Sequence, residues 1–179
     1  MDTRTSRSAV EILADRMREA YNAHDPGAIA AIFSAQGTLR DQAWEEIFEG
    51  SAAIRERYAD EFRAAPDIRI EEEHRYVSQD AVVTESVVRG THGGTWRGMP
   101  ATGNKFEATV WTALRADDTG ARIVDLRFSY DRARILNQIG ILHDVETTLG
   151  KTMAVLTHPV TMARAARKRL SERPAPPRA

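Results

Sequence analysis

A strand carrying a single carboxylate is the part of this sequence best suited to chemistry. Residues 37–44, GTLRDQAW, place Asp41 at the end of an extended segment, and residues 48–59, FEGSAAIRERYA, follow as a short return strand and a helix capped by Ser51. A carboxylate in an apolar pocket is poorly solvated, so its pKa rises and it becomes a stronger base. Ionised, it could remove a proton next to a carbonyl; protonated, it could donate to a carbonyl or epoxide oxygen. Strand alternation leaves a second possibility open, a solvent-facing Asp41 paired with Arg40.

Other kinds of chemistry are weakly represented. The sequence has no cysteine, which excludes disulfides and thiolate metal sites. The histidines are scattered, with no i, i+4 pair and no acid-rich cluster beside them; they are His24, His74, His92, His143 and His158. We therefore expect no metal and no cofactor. His92 lies in a glycine-rich turn and is expected to be structural.

Composition narrows the function classes further. The chain has 179 residues, which fits one domain, and a net charge of -1, which gives no nucleic-acid signature. Its N-terminus is polar, without the apolar segment of a signal peptide. No apolar run approaches the ~18 residues of a membrane span. We expect a cytoplasmic protein without a membrane span.

Hydrophobic periodicity predicts helices first and strands later. Apolar residues at helical spacing predict helices over 6–23, 28–33 and 52–64, the first with a capping box of Ser8 and Glu11. A period of two then predicts strands over 68–78, 81–91, 106–116 and 122–130. This order of elements is typical of the α+β class.

The C-terminal quarter of the sequence returns to a helical pattern. Residues 131–172 are predicted to be helical, and the proline-rich end, 173–179, is predicted to be a disordered tail. We divide the chain into a main domain over 1–142, a C-terminal helical extension over 143–172 and the tail.

Several segments resemble one superfamily. Residues 37–44 and 48–59 resemble the part of ketosteroid isomerases that carries their catalytic aspartate. RGTHGG at 89–94, with RGMPATG at 97–103 and Phe106, resembles a turn of SnoaL-like polyketide cyclases. Asp131 with ILNQIG at 135–140 resembles how those proteins leave their last strand. The resemblance implies the nuclear transport factor 2-like fold, a cone-shaped, curved antiparallel sheet packed on N-terminal helices, here with a C-terminal helical extension.

The resemblance also implies a set of site residues. Asp41 falls on the catalytic base and Tyr58 on a tyrosine of its hydrogen-bond network, although the spacing of Tyr58 also fits core packing. Family positions and strand parity assign to the substrate pocket Ser86, Val88, Thr112, Leu114, Phe128 and Tyr130, and Trp44 is a further aromatic candidate. The oxyanion-donor tyrosine of ketosteroid isomerases would fall near Ala20. Tyr21 is one residue away, a turn of about 100° on a helix.

The activity implied by the resemblance is that of a cofactor-independent enzyme. Its substrate would be an apolar small molecule with a carbonyl or epoxide, polyketide- or terpenoid-like, and the reaction an isomerisation, a cyclisation or an epoxide opening. The chain departs from the family at Phe128 and Thr112, where SnoaL-like cyclases have an aspartate and a histidine. The alternative is a non-catalytic module of the same fold that binds small molecules or dimerises. A homodimer is compatible with either.

Overall fold

The computed structural model describes residues 7–142 together with Thr148, Thr152 and Arg167. Helix α1 is Ala9–Asn22, α2 is Pro26–Ile32, α3 is Gly50–Ala64 and α4 is Arg132–Gln138. The predicted capping box of α1 is confirmed. The Ser8 side chain accepts a hydrogen bond from the Glu11 N–H, and the Glu11 carboxylate accepts one from the Ser8 N–H.

Helix α3 begins earlier than predicted. Its N-cap is Glu49, which makes no side-chain capping bond, so the prediction that Ser51 caps this helix is wrong. Gly50 has a φ of 77°, a left-handed conformation that costs glycine little and turns the chain directly from a strand into the helix. Ser51 therefore lies within the first turn.

The strands form a six-stranded sheet in the order β2-β1-β6-β5-β4-β3. Their bounds are β1 Phe33–Asp41, β2 Glu46–Glu49, β3 Arg69–Val77, β4 Ala81–Thr91, β5 Lys105–Ala116 and β6 Ile123–Tyr130. The pair β1–β6 is parallel and the other pairs are antiparallel. The sheet is therefore mixed, and it differs from the expected antiparallel sheet in this one strand pair. That pair joins the first strand of the chain to the last, which periodicity alone does not reveal.

The main core lies where the N-terminal helices cover the curved sheet. Leu13, Ile29 and Ile54 contribute from the helices, each with at most 1% of its surface exposed. Their counterparts on the strands include Leu39, Val82, Ile123 and Leu126. Burial of these apolar side chains drives the layers together. The expected α+β class, with a curved sheet packed on N-terminal helices, is confirmed.

Helix α4 ends at Gln138, and Gly140 ends the first compact unit of the chain. The predictions for 143–172 and 173–179 lie, apart from Thr148, Thr152 and Arg167, outside the described residues. Among the helices of the described residues, none is long and apolar enough to cross a membrane.

Candidate active site

A cavity of about 170 Å³ lies between helices α1 and α3 and the sheet. Its wall is mostly apolar, with contributions from four strands, β3 to β6, and from α4. Polar side chains reach it at a few places, among them Tyr21 on α1 and Arg57 and Glu61 on α3. An apolar cavity with a few convergent polar groups is the usual form of a small-molecule site.

Asp41 ends strand β1 completely enclosed by protein. None of its surface is exposed, which is rare for an aspartate without a partner. Oδ1 accepts hydrogen bonds from the backbone N–H groups of Ala43 and Trp44, at 3.1 and 3.3 Å. Oδ2 accepts one from Arg57 Nη2 at 3.2 Å. The solvent-facing alternative is therefore wrong, and Arg40 instead donates to Asp125 at 3.0 Å.

Arg57 connects this carboxylate to the cavity. It lies on α3, lines the cavity and has only 13% of its side chain exposed. Nη2 faces Asp41, and Nη1 donates to Glu61 Oε2 at 2.8 Å. The guanidinium carbon also lies 5.8 and 5.9 Å from the ring centres of Phe128 and Phe48, within the range of cation–π attraction. The cation is thus held from several sides.

Glu61 extends the chain of hydrogen bonds to α1. Its Oε1 accepts from the Tyr21 hydroxyl at 2.7 Å, while Oε2 is occupied by Arg57. The side chain is 22% exposed, in contrast to Asp41. A continuous series therefore runs from Tyr21 through Glu61 and Arg57 to Asp41. We call these four residues the charged cluster.

Burial shifts the pKa values of Asp41, Tyr21 and Tyr58. Loss of solvation raises the pKa of Asp41 above its ordinary value, even though Arg57 and the hydrogen bonds to Oδ1 and Oδ2 act to lower it. Burial, followed by the nearby negative charge of Glu61, raises the pKa values of Tyr21 and Tyr58. Both phenols consequently keep their protons at neutral pH and can serve as hydrogen-bond donors.

The cavity brings together most of the residues assigned to the pocket from the sequence. Seven of them line it, namely Tyr58, Ser86, Val88, Thr112, Leu114, Phe128 and Tyr130. Asp41 and Trp44 do not. Asp41 contacts the cavity lining through Arg57, whose Nη2 donates to Asp41 Oδ2. Trp44 contacts a residue of the cavity wall, since its indole N–H donates to the Tyr130 hydroxyl at 2.8 Å.

Trp44 also joins the loops at one end of the cavity. The guanidinium carbons of Arg97 and Arg132 lie 4.0 and 4.5 Å from its ring centre. Trp96, which lines the cavity, meets Trp44 edge to face with ring centres 5.4 Å apart. We call this group, with Tyr130, the aromatic–arginine cluster.

Sequence reasoning missed part of the charged cluster. Arg57 and Glu61 form an i, i+4 pair of opposite charge, a pattern that usually indicates an exposed helix face. Tyr21 lies one residue from the position that the resemblance implies for the oxyanion donor, yet it is buried and lines the cavity. The available signal was the position of Arg57 and Glu61, each one residue before an apolar residue of the stripe Ile54, Tyr58 and Phe62.

Metal binding has no visible basis in the part of the chain that the structure describes. Within it, no three histidine, aspartate or glutamate side chains are grouped so that they could hold an ion. His92 is buried, and its Nδ1 lies 3.2 Å from Thr102 Oγ1, which ties the loop after β4 together.

Comparisons with known proteins identify relatives of this domain. A family model for SnoaL-like polyketide cyclases matches residues 11–139. Among proteins with curated descriptions, none matches the chain. Solved structures that resemble it include a protein of Catenulispora acidiphila DSM 44928 with a ketosteroid isomerase-like fold, solved with trimethylamine. That structure has 21% identity and a TM-score of 0.64, over 76% of this chain and 96% of that one.

Two Streptomyces proteins give similar values. TsrD of Streptomyces laurentii matches with 20% identity and a TM-score of 0.66, over 76% of this chain and 98% of its own. IdmH of Streptomyces antibioticus, a proposed polyketide cyclase, matches with 22% identity and a TM-score of 0.63, over 73% and 98%. At these identities the structural matches establish the fold, a nuclear transport factor 2-like one.

Proposed function

The chain belongs to the SnoaL-like polyketide cyclase family, and we propose that it is an acid–base enzyme of that family. The substrate is an apolar carbonyl- or epoxide-containing metabolite of the polyketide type, and Asp41 is the general acid or base. The observation that carries this proposal is a fully enclosed carboxylate whose oxygen is held by a guanidinium lining an apolar cavity.

The charged cluster supports proton transfer next to a carbonyl. A carboxylate takes the proton from the carbon beside the carbonyl, and the electrons of the C–H bond move into a new C=C bond. Negative charge then develops on the carbonyl oxygen, where a fixed cation such as Arg57 stabilises it strongly in a site of low polarity. Return of the proton to another carbon completes an isomerisation, whereas attack of the enolate carbon on a second carbonyl completes a cyclisation.

The dimensions of the cavity favour a ring-sized group as the enclosed part of the substrate. An apolar cavity of about 150 Å³ is large enough to bind benzene, and this one measures about 170 Å³. A larger polyketide would place one ring in the cavity and extend beyond it. Exclusion of water from the enclosed part protects a reactive enolate.

A binding module without catalysis is the second candidate. It is favoured by one observation: Asp41 does not line the cavity, and its Oδ2 already accepts a hydrogen bond from Arg57. A carboxylate used only to anchor that arginine would leave an apolar ligand pocket with one fixed cation.

We also propose that the protein is a homodimer paired through its sheet. Tyr76 and Trp111 stack on the exposed face with ring centres 6.5 Å apart, and 57% and 44% of their surfaces are exposed. Covering such aromatic surface is favourable. Sedimentation of the full chain and of Trp111→Lys tests this, and a monomeric parent would overturn it.

The test of the acid–base function uses 2-tetralone, an apolar bicyclic ketone, as the probe. Exchange of its protons next to the carbonyl is followed by NMR in D₂O, and its binding is followed separately by tryptophan fluorescence. An enzyme should accelerate the exchange, and Asp41→Asn should slow it by about 100-fold or more while 2-tetralone still binds. Asp80→Asn, an exposed aspartate in the turn between β3 and β4, is the matched control. Binding without accelerated exchange would instead establish the second candidate.

A further inference from the structure

Access to the cavity differs between the carboxylates near it. Asp41 is enclosed and does not line the cavity, whereas Arg57, which donates to it, does. Among the described residues, the carboxylates that line the cavity are Glu61 and Glu72. Both oxygens of Glu72 accept from Arg75, at 2.7 and 2.8 Å, so its charge is already paired away from the charged cluster. Glu61 is therefore the carboxylate of the charged cluster with direct access to a ligand.

We propose that Glu61 is a second catalytic residue of this site, which contacts the substrate beside Arg57 and accepts its proton. The inference rests on the proposed acid–base function and deepens it. In this arrangement Asp41 and Glu61 accept from different nitrogens of one guanidinium, Nη2 and Nη1, and Glu61 is the one of the two that lines the cavity.

The hydrogen bonds of Glu61 leave it able to do this. Each carboxylate oxygen has two lone-pair sites. Oε1 uses one for the Tyr21 hydroxyl and Oε2 uses one for Arg57 Nη1. A site therefore remains on each oxygen for a substrate proton. The partial exposure of the side chain, 22%, is consistent with a group that a ligand can contact.

The net charge of the site favours different roles for Asp41 and Glu61. Two carboxylates and one guanidinium carry a net charge of −1, which is costly to enclose in an apolar surrounding. Binding one proton removes that cost. Burial raises the pKa of Asp41, which has none of its surface exposed. Glu61, in contrast, is 22% exposed and lines the cavity, and such a difference in environment gives two acids different roles.

The proton step balances without any added reactant. The C–H bond next to the substrate carbonyl breaks, its proton forms an O–H bond on Glu61, and its electron pair becomes the C=C bond of the enolate. The oxygen of the enolate bears the charge and lies near Arg57. Glu61 later returns the proton to the product, which restores the original cluster.

The experiment is 2-tetralone exchange in D₂O with the full chain and the variants Glu61→Gln, Glu61→Asp and Glu56→Gln. We expect Glu61→Gln to lose about 100-fold or more of the exchange rate, with 2-tetralone affinity unchanged within a few-fold. Glu61→Asp, which keeps the carboxylate on a shorter side chain, should recover part of the rate. Glu56→Gln lies on an exposed face of the same helix and should behave like the parent.

Separate measurement of kcat and KM distinguishes catalysis from a structural role. The kcat for exchange should fall in Glu61→Gln while the KM for 2-tetralone stays within a few-fold of the parent, and thermal unfolding shows that the variant is folded. An unchanged rate in Glu61→Gln with a large loss in Asp41→Asn would overturn this inference and leave the proposed function standing. Loss in Glu61→Gln alone would instead overturn the role given to Asp41. A parent that binds the ketone without exchanging it would refute both.

Discussion

Arg57 Nη2 lies 3.2 Å from Asp41 Oδ2, and this ion pair joins helix α3 to the end of strand β1. The two side chains are 13% and 0% exposed, so solvent does little to screen them. A buried pair of this kind is costly to form, but it is still more costly to break by removing one partner, because the other charge is left enclosed. The pair thus adds a polar tie between α3 and β1 to the apolar packing of Ile54, Tyr58 and Phe62.

Removing the cation should therefore destabilise the fold. We expect Arg57→Met to lower the free energy of unfolding at neutral pH by about 3–5 kcal/mol, because Asp41 keeps its burial and loses its counter-ion. Urea denaturation measures this change. The double variant Asp41→Asn with Arg57→Met should lose much less than the sum of the single variants, as expected for residues in contact. Additive losses would show that the two groups act independently.

The raised pKa of Asp41 gives its contribution to stability a definite sign. A carboxyl group with a higher pKa in the folded state binds protons more tightly there than in the unfolded chain. Its contribution is fully present below the unfolded pKa of about 3.9 and is lost as pH rises through the folded value. We expect NMR titration to place Asp41 above its ordinary range, and the parent to lose stability relative to Asp41→Asn over that window.

Asp125 is a control for this prediction, because its pKa is shifted in the opposite direction. Burial acts to raise its pKa, but hydrogen bonds from Thr38, Arg40 and Arg127 outweigh this effect, and the pKa lies below its ordinary value. Its contribution is present above the unfolded pKa and is lost as pH falls. Asp125→Asn should therefore cost less stability relative to the parent at low pH than at neutral pH. An Asp41 titration at or below the ordinary range would contradict the preceding prediction.

Sequence patterns predict the elements of this fold better than its long-range contacts. Strand β4 was predicted with its observed bounds, 81–91, because its β-branched run leaves little choice. The register shift of β1 against β6, between Phe33 and Thr38, is a long-range feature of this second type. It decides on which face of the sheet Asp41 lies, and no local sequence pattern indicates it. Arg57 and Glu61 were missed for a related reason: only the packing of α3 against β1 turns this ordinary charged pair inward.

Trp44 should matter through both its ring and its N–H group. Trp44→Phe keeps an aromatic face for Arg97 and Arg132 but removes the hydrogen bond to Tyr130, so we expect a loss of about 0.5–1.5 kcal/mol. Trp44→Ala also removes the ring contacts and should cost more. Urea denaturation of both variants gives the order, and quenching of Trp96 fluorescence by acrylamide reports the opening of the aromatic–arginine cluster. Equal losses in the two variants would contradict a role for the ring.

Gly94 should be the least replaceable glycine of the loop after β4. Its N–H and that of Gly93 both donate to the carbonyl of Ala64 at 3.0 Å, which seats the loop on the end of α3. A Cβ on Gly94 would collide with the backbone carbonyl of Arg63, whereas one on Gly93 would meet Pro66 at 3.3 Å. We expect Gly94→Ala to cost about 1–3 kcal/mol or more, and Gly93→Ala to cost less.

The effect of Gly94→Ala should extend to the cavity. The same loop carries His92 and Trp96, and both residues line the cavity. Lifting the loop from α3 therefore removes part of the cavity wall. Binding of 2-tetralone should weaken in Gly94→Ala under conditions where the variant remains folded, and it should stay near the parent value in Gly93→Ala. Measuring unfolding and binding in parallel distinguishes the two effects. Unchanged binding in a destabilised Gly94→Ala would show that the loop adapts without disturbing the ligand site.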